Sequence, residues 1–186
     1  MDIPEIITTE RLILQRPVVS MELAREIHTA VMASLKNLEQ WLPWAKPTYT
    51  LDDEVKYLTE NCDKGWKEKT NFAYIIRTKS DGRFLGVIDF IKIDEKNKST
   101  EIGFWLQDNA VGNGYMVEAV LGLEKAAFAA GCERVEIEND ARNIRSVNVA
   151  KRAGYHLDGI MRHQKWSDYD NMFIDINVWS KLKNEQ

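Results

Sequence analysis

Apolar and polar residues alternate with two different periods along the chain, and the places where the period changes separate strands from helices. Seven segments have the alternation or the β-branched and aromatic content of strands: residues 6–16, 72–77, 84–93, 100–106, 134–138, 155–161 and 172–179. Four segments have the spacing of amphipathic helices: one that begins after Ser20, residues 50–67, one that ends before Gly131, and residues 143–153. The segment 35–50 is broken by prolines, which predicts a loop or a short helical turn.

The order of these elements predicts an α+β fold. Ser80-Asp81-Gly82 and the polar segment 94–99 are turn signals, so the three strands that they separate should form an antiparallel meander. Over residues 101–138 the order becomes strand, helix, strand, which favours a parallel pair. A chain of 186 residues with 44% hydrophobic content can bury one substantial core. We therefore predict a single domain over residues 1–186, with a mixed, mostly antiparallel sheet flanked by helices.

The stretch 101–130 carries the clearest sign of a ligand site. An apolar strand leads into a turn that contains Gly112 and Gly114, and a helix follows. Four residues share the apolar face of this helix: Met116, Val120, Leu123 and Ala127. Such a turn directs backbone N–H groups and the positive end of the helix dipole toward one point, which suits a phosphorylated ligand. The alternative is a tight turn without a ligand, and neither the dinucleotide fingerprint nor a P-loop is present, since Val117 stands where the fingerprint needs glycine.

Three other groups of polar or aromatic residues have both a structural and a functional interpretation. His28 has no partner at metal-ligand spacing, and we interpret it as structural. The acidic residues 52–54 fit the first turn of a helix capped by Thr50, where carboxylates complement the helix dipole. The aromatic residues from Trp41 to Tyr49 either plug the core or line the mouth of a substrate site.

Composition argues against several classes of protein. A net charge of −4 argues against binding to a nucleic-acid backbone, which needs a basic face. Cys62 and Cys132 have no metal-ligand spacing and are too few for a disulfide framework, which indicates a reducing compartment. The N-terminal residues lack the pattern of a signal peptide, and no apolar run is long enough to span a membrane. We therefore expect a soluble cytoplasmic protein that needs no metal and binds neither nucleic acid nor membrane.

Taken in order, the motifs of this chain resemble those of the GNAT N-acetyltransferase superfamily, and within it the ribosomal-protein branch represented by RimJ and RimL. The motifs that carry the resemblance extend over nearly the whole chain: Thr9-Glu10-Arg11-Leu12-Ile13-Leu14, Glu101-Ile102-Gly103-Phe104-Trp105, Gly112-Asn113-Gly114-Tyr115 with Glu118-Ala119, Asn143-x-x-Ser146 before Gly154-Tyr155, and Gly159-Ile160-Met161-Arg162. The resemblance implies an acyl-CoA N-acyltransferase fold with a seven-stranded sheet. It also implies transfer of an acetyl group from acetyl-CoA to an amine.

The resemblance further implies where the cofactor would bind. The pantetheine arm of CoA would lie in a gap between the fourth and fifth predicted strands and pair with the backbone at Trp105 and Leu106. Asn143, as the cap of the last predicted helix, would also touch the cofactor. The diphosphate would bind backbone amides of the glycine turn: Val111, Gly112, Asn113, Gly114, Tyr115 and Met116. The superfamily usually has Arg or Gln at the position of Val111 and Gly or Ala at that of Met116, so we expect weaker CoA binding.

Acetyl transfer needs a neutral amine and a proton for the departing thiolate. Many superfamily members have a proton-donating Tyr at the position of Ala150, whereas the branch resembled here has a Ser at the position of Ser146, our candidate acid. The alternative is that the Ser146 hydroxyl only forms a hydrogen bond to the backbone of its own helical turn. Glu101 is the candidate base, and the alternative is an exposed carboxylate at a strand end. The family's acidic residue before the last strand corresponds approximately to Lys165 here.

Three functions remain open at this point. Transfer to a protein N-terminal α-amine of ribosomal type is favoured, because an α-amine with a pKa of about 7.7–8.0 is easier for a weak base to neutralise than a lysine near 10.4. The second is transfer to a small amine, such as a polyamine, an antibiotic or an amino-acid conjugate. The third is a CoA-binding module without turnover. A homodimer is implied by analogy with the family.

Overall fold

The computed structural model of the protein describes residues 1–185, and its centre is an eight-stranded sheet with the order β1-β2-β3-β4-β5-β6-β8-β7. The strands are β1 Ile6–Thr8, β2 Leu12–Gln15, β3 Phe72–Thr78, β4 Phe84–Asp94, β5 Ser99–Leu106, β6 Arg134–Asp140, β7 His156–Ser167 and β8 Met172–Leu182. The helices are α1 Met21–Ala33, α2 Leu35–Leu38, α3 Leu51–Lys56, α4 Lys64–Glu68, α5 Tyr115–Ala129 and α6 Ile144–Arg152. Short turns of 3₁₀ helix span Asp108–Ala110 and Lys183–Glu185.

The pairing of the strands confirms the mixed, mostly antiparallel sheet. β5 and β6 pair in parallel, and the other neighbouring strands pair antiparallel. The parallel pair is the one that the strand, helix, strand order predicted. The connection between its strands is α5, which packs on one face of the sheet with all four predicted residues 5% exposed or less. α1, α3 and the turns after α2 cover the other face with a second apolar cluster.

The first predicted strand, residues 6–16, is wrong as a single element, and this explains why the sheet has eight strands rather than seven. The chain forms a short hairpin instead, in which β1 and β2 pair antiparallel. The backbone N–H of Thr9 donates to the carbonyl of Leu12 at 3.0 Å, and the Thr9 hydroxyl accepts from the N–H of Leu12 at 3.1 Å. Side-chain bonds of this kind favour a turn over a strand, yet they leave the alternation of apolar residues undisturbed.

The end of the chain also differs from the prediction, because β7 is longer than expected. It continues from His156 to Ser167, beyond the predicted end at residue 161, so the turn before β8 is confined to residues 168–171. The strand has an irregularity between Met161 and Lys165, and His163 within it has a φ of +51°. β7 is an edge strand exposed on both faces over most of its length. An edge strand of this kind needs no apolar alternation, and the sequence pattern therefore misses its second half.

The helix predicted over residues 50–67 is present, with a change of geometry in its middle. Thr50 is its N-cap and forms a reciprocal capping box with Asp53. A π-helical stretch, Tyr57–Asp63, joins α3 to α4. Glu54 corrects the dipole interpretation of the acidic turn, because it is only 1% exposed and accepts a hydrogen bond from the Tyr49 hydroxyl at 2.9 Å.

Candidate functional site

β5 and β6 lie side by side at one end only. They pair over residues 99–101 of β5 and 134–136 of β6, although β5 continues to Leu106 and β6 continues to Asp140. Beyond the paired residues the two strands diverge. Within residues 1–185 no strand pairs with β5 on this side after Glu101. The sheet therefore has an opening at its centre, with a free backbone edge along one wall.

The turn that follows β5 presents an open helix N-terminus at this opening. Gly112 and Gly114 have φ values of +89° and +76°, in the left-handed region that favours glycine. Gly114 is the N-cap of α5 and has no side chain with which to bond the first-turn amides. The backbone N–H groups of Tyr115 and Met116 can therefore serve a ligand, and the positive end of the helix dipole lies at the same place. This geometry suits an anion.

Arg11 ties this turn to the β1–β2 hairpin. Its Nε lies 2.6 Å from Oε2 of Glu118, and its Nη1 donates to the carbonyl of Asn113 at 3.0 Å. The guanidinium also lies over the ring of Tyr115, 4.8 Å from its centre. The Thr9 hydroxyl donates to Oε1 of Glu118 at 2.6 Å. Burial acts to raise the pKa of Glu118, but these hydrogen bonds outweigh it and the pKa is lowered, so the carboxylate stays charged and holds the turn in place.

A groove of about 420 Å³, here called the β5 groove, runs from this turn along the free edge of β5 to α6. Ten of the eleven predicted site residues line it: Glu101, Trp105, Leu106, Val111, Gly112, Gly114, Tyr115, Met116, Asn143 and Ser146. Asn113 does not; its side-chain amide donates to the carbonyls of Ala110 and Val111 at 3.2 and 3.3 Å and so stabilises the turn. Met116 is 5% exposed and packs in the core, so most of its bulk lies away from the groove.

A second cavity of about 480 Å³, here called the β7 cavity, lies across the same opening, between the segment 39–47 and the β7–β8 hairpin. Its exposed rim includes the aromatic residues Trp166 and Tyr169. The cavity and the β5 groove have five residues in common: Trp41, Glu101, Glu138, Asn139 and Asp140. A ligand in the groove and a ligand in the cavity would therefore meet at this shared wall.

Two carboxylates and two ammonium groups form the electrostatic centre of the shared wall. Nζ of Lys92 lies 2.6 Å from Oε2 of Glu101 and 2.9 Å from Oε1 of Glu138, and Nζ of Lys165 lies 3.4 Å from Oε2 of Glu138. Glu101 is 6% exposed, so its interpretation as an exposed strand-end carboxylate is wrong. Burial raises the pKa of Glu101, and the ion pair with Lys92 opposes this rise.

Ser146 faces the β5 groove from the first turn of α6. Asn143 is the N-cap of this helix, as predicted, and its Oδ1 accepts from the backbone N–H of Ser146 at 3.1 Å. The Ser146 hydroxyl accepts from Nδ2 of Asn139 at 3.2 Å, so it is held by a residue of β6. Ala150 is fully buried, and its methyl group offers no proton.

The aromatic segment serves both purposes that its sequence left open. Trp41 lines the β5 groove and the β7 cavity. Tyr49 packs against the second apolar cluster. Trp44 is exposed, with its ring 5.5 Å from that of Tyr49 and 6.1 Å from that of Trp105. His28 stacks on Tyr49, and its Nε2 lies 3.2 Å from the Tyr49 carbonyl oxygen, which agrees with a structural role.

Sequence reasoning missed several polar residues of the site, among them Lys92, Glu138 and Asn139. A signal was available for Asn139, because it shares the period-2 face of β6 with Val135 and Ile137, which are fully buried. A polar side chain at an apolar position has to find a hydrogen-bond partner. Lys92 gave no such signal, since its approach to Glu101 depends on a φ of +48° at an irregularity in β4.

Neither a metal-binding cluster nor a membrane-spanning helix is found in the described part of the chain. Among residues 1–185, no group of three or more His, Cys, Asp and Glu side chains is arranged to hold a metal ion. The helices in this range include none with the length and apolarity needed to cross a membrane. Cys62 and Cys132 are both free and buried.

Known proteins of similar sequence and fold share this arrangement of elements. Residues 11–156 match a family model described as an acetyltransferase (GNAT) domain. The ribosomal-protein-serine acetyltransferase of Escherichia coli (strain K12) is 25% identical over 150 residues, which cover 80% of this chain and 81% of that protein. The probable N-acetyltransferase YjcK of Bacillus subtilis (strain 168) is 30% identical over 133 residues, 68% of this chain and 73% of that protein. The fold is also similar to that of RimL, the ribosomal L7/L12 alpha-N-protein acetyltransferase, in its complex with coenzyme A. The two structures superpose with a TM-score of 0.88 over 98% of this chain and 100% of that chain, at 23% sequence identity.

Proposed function

This chain belongs to the GNAT acetyltransferase family, and we propose that it transfers an acetyl group from acetyl-CoA to the α-amine of a protein N-terminus. The observation that carries the proposal is the opening between β5 and β6. The β5 groove and the β7 cavity meet there, at a wall that includes Glu101, Glu138 and Asn139. Acetyl-CoA would occupy the groove and the acceptor amine would occupy the cavity, so that the reacting atoms come together at the wall.

The chemistry of the β5 groove fits acetyl-CoA along its length. The free backbone edge of β5 at Trp105 and Leu106 can pair with the amides of the pantetheine arm. The uncapped N–H groups at the start of α5 can bind the diphosphate. Arg145 and Arg152 of α6 also line the groove and add positive charge near a ligand that carries several phosphates.

The reaction proposed for this geometry uses Glu101 on the acceptor side and Ser146 on the donor side. The amine loses a proton to Glu101, directly or through a water molecule, and its nitrogen forms a bond to the acetyl carbon. The carbon–sulfur bond breaks, and its electron pair stays on the sulfur, where the Ser146 hydroxyl stabilises it. Burial raises the pKa of Glu101, which makes its carboxylate a stronger base than an exposed one. Positioning of the two substrates supplies most of the catalysis, about 7–11 kcal/mol in well-oriented cases.

The acceptor class follows from the weakness of this base and from the relatives. A carboxylate next to Lys92 is better matched to an α-amine than to a lysine amine, whose pKa is higher by about 2.5 units. The carboxylates of Glu101, Glu138 and Asp140 face a cavity into which a cationic amine can enter. The similarity to a ribosomal-protein-serine acetyltransferase supports a ribosomal protein as the acceptor. We therefore expect a cytoplasmic enzyme that modifies such an N-terminus.

The acceptor is identified by offering the purified protein and acetyl-CoA three sets of amines. These are peptides with free N-termini, the same peptides with blocked N-termini and an internal lysine, and small polyamines. Mass spectrometry should find an added acetyl group on the free N-termini alone. Acetylation confined to the polyamines would contradict the proposed acceptor and favour the small-amine function. Binding of CoA by calorimetry, with no acetylated product from any amine, would contradict turnover itself.

A further inference from the structure

Three polar side chains form a hydrogen-bonded chain from β8 through β6 to α6. Nδ2 of Asn177 donates to Oδ1 of Asn139 at 3.1 Å, and Nδ2 of Asn139 donates to Oγ of Ser146 at 3.2 Å. Asn139 is 7% exposed and Asn177 is 5% exposed. A buried amide that loses its partner costs about 1–3 kcal/mol. The two asparagines therefore hold each other and Ser146 in one arrangement.

The order of donors and acceptors in this chain fixes the direction of the Ser146 proton. The oxygen of Asn139 accepts from Asn177, and the nitrogen of Asn139 faces Ser146. A serine hydroxyl has one proton and two lone pairs, so an oxygen that accepts from an amide keeps its own proton for another partner. Within residues 1–185 the Ser146 hydroxyl donates to no protein acceptor, and the side chain lines the β5 groove.

We propose that Asn139 is a positioning residue for acetyl transfer, which holds the Ser146 hydroxyl as an acceptor and thereby directs its proton into the β5 groove at the departing sulfur. This inference rests on the proposed function. As the carbon–sulfur bond breaks, the sulfur gains the electron pair and Ser146 donates a hydrogen bond or the proton itself, which solvent then restores. Asn139 changes neither its charge nor its protonation in this step.

An aspartate in place of Asn139 would have nearly the same shape and the opposite effect. A carboxylate accepts hydrogen bonds and does not donate them, so the Ser146 proton would turn toward it and away from the groove. The negative charge would also disfavour a thiolate nearby. Asn177 could still donate to the carboxylate, so the packing between β6 and β8 would change little.

The test is a double-mutant cycle on kcat, which separates action through Ser146 from structural damage. Asn139→Leu should lower kcat about 10-fold, and Asn139→Asp at least as much. The loss in Asn139→Leu is smaller than the about 10²–10⁴-fold that a positioned acid typically contributes, because the Ser146 hydroxyl itself remains. KM for acetyl-CoA should change less than about threefold in both. In the Ser146→Ala background, Asn139→Leu should lower kcat no further, because the group that it positions is absent.

The control is Thr78→Val, which removes a buried hydroxyl, 5% exposed, in the β3–β4 hairpin, none of whose residues lines the β5 groove or the β7 cavity. Its effect on kcat should be the same in both backgrounds. If Asn139→Leu lowers kcat equally with and without Ser146, the positioning role is overturned and the proposed function stands. If Ser146→Ala alone leaves kcat unchanged, the positioning role falls together with the proposed role of Ser146. Should Asn139→Leu fail to fold, Asn139→Ala takes its place in the cycle, because it removes the same donor and adds neither bulk nor charge.

Discussion

Glu101 is subject to influences that act on its pKa in opposite directions. Burial and the charge of Glu138 raise it, whereas the ammonium groups of Lys92 and Lys165 lower it. As a base it works only when ionised, so the rate should fall as the pH drops through its pKa. We predict that Lys92→Met removes the larger lowering influence, raises the pKa of Glu101 further, and moves the acidic limb of the kcat/KM profile to higher pH. Glu101→Gln should lower kcat/KM about 10²-fold and abolish that limb.

Lys96→Met is the matched control for Lys92→Met, because it removes the same charge from an exposed turn between β4 and β5. Its profile should coincide with that of the unmodified protein. An acidic limb that stays at the same pH in Lys92→Met would show that the ion pair does not govern the base. A profile unchanged in Glu101→Gln would remove Glu101 from the mechanism.

We predict that replacing Val111 by arginine strengthens the binding of CoA. It is 37% exposed on the rim of the β5 groove, where the superfamily usually has a side chain that donates hydrogen bonds. Val111→Arg should add one charge-assisted bond to the diphosphate, worth about 1 kcal/mol at an exposed site, and lower the Kd for CoA about fivefold. Titration calorimetry with CoA measures this, and pantetheine, which lacks the diphosphate, should show no change. An equal gain for both ligands would contradict contact with the diphosphate.

Single residues could be predicted from the sequence where their role depends on local spacing. Asn143 and Gly114 belong to this group, because a helix cap and a left-handed turn are properties of a few neighbouring residues. The surroundings of Glu101 could not be predicted, since Lys92 and Glu138 come from other strands. Contacts of this kind depend on the register and irregularities of the sheet, which periodicity does not determine.

At the scale of elements, α3 carries a buried acid that should make stability depend on pH. Burial raises the pKa of Glu54 from 4.5 to about 7. Because the folded-state pKa is higher than the unfolded one, the protein loses stability as the pH rises from about 4.5 to 7. We predict that Glu54→Gln, which cannot ionise, removes about 2 kcal/mol of the stability lost between pH 5 and pH 8. Urea unfolding of both proteins at the two pH values measures the difference.

Glu60→Gln is the control for this prediction, because its side chain is 62% exposed in the helical segment that follows α3. It should alter the free energy of unfolding by no more than about 0.5 kcal/mol at either pH. Other buried acids, including Asp89 with a pKa raised to about 6, affect the compared proteins alike and cancel. An equal pH dependence in Glu54→Gln and the unmodified protein would contradict the burial of a charge at this position.

Elements were predicted well where one face is buried and poorly at the margins of the sheet. α1 and α5 were found because each packs an apolar stripe on the sheet. The β1–β2 hairpin and the second half of β7 were not, since they lie at the two edges, where pairing depends on turn bonds and exposed backbone. The opening between β5 and β6 lies in the well-predicted centre, and this explains why most of the site residues could be found from the sequence.

At the scale of the whole molecule, the sheet consists of two parts joined by a short contact. β1 to β5 form one part and β6, β8 and β7 form the other, and β5 pairs with β6 over only three residues of each strand. α5 spans this junction and packs against both β5 and β6. A ligand in the β5 groove would touch β5 on one side and α6 on the other. Binding of such a ligand should therefore stabilise both parts of the sheet together.

We predict that CoA raises the melting temperature of the protein. A ligand that binds only the folded state contributes about 2.7 kcal/mol at 100 times its Kd. For a chain of this length that corresponds to a rise of about 5–10 °C in Tm. Differential scanning calorimetry with increasing CoA measures the rise, and the same concentration of pantetheine should give a smaller one, because it cannot bind the amides at the start of α5. An unchanged Tm at millimolar CoA would contradict the β5 groove as the cofactor site. An equal rise with pantetheine would contradict only the binding of the diphosphate at the glycine turn.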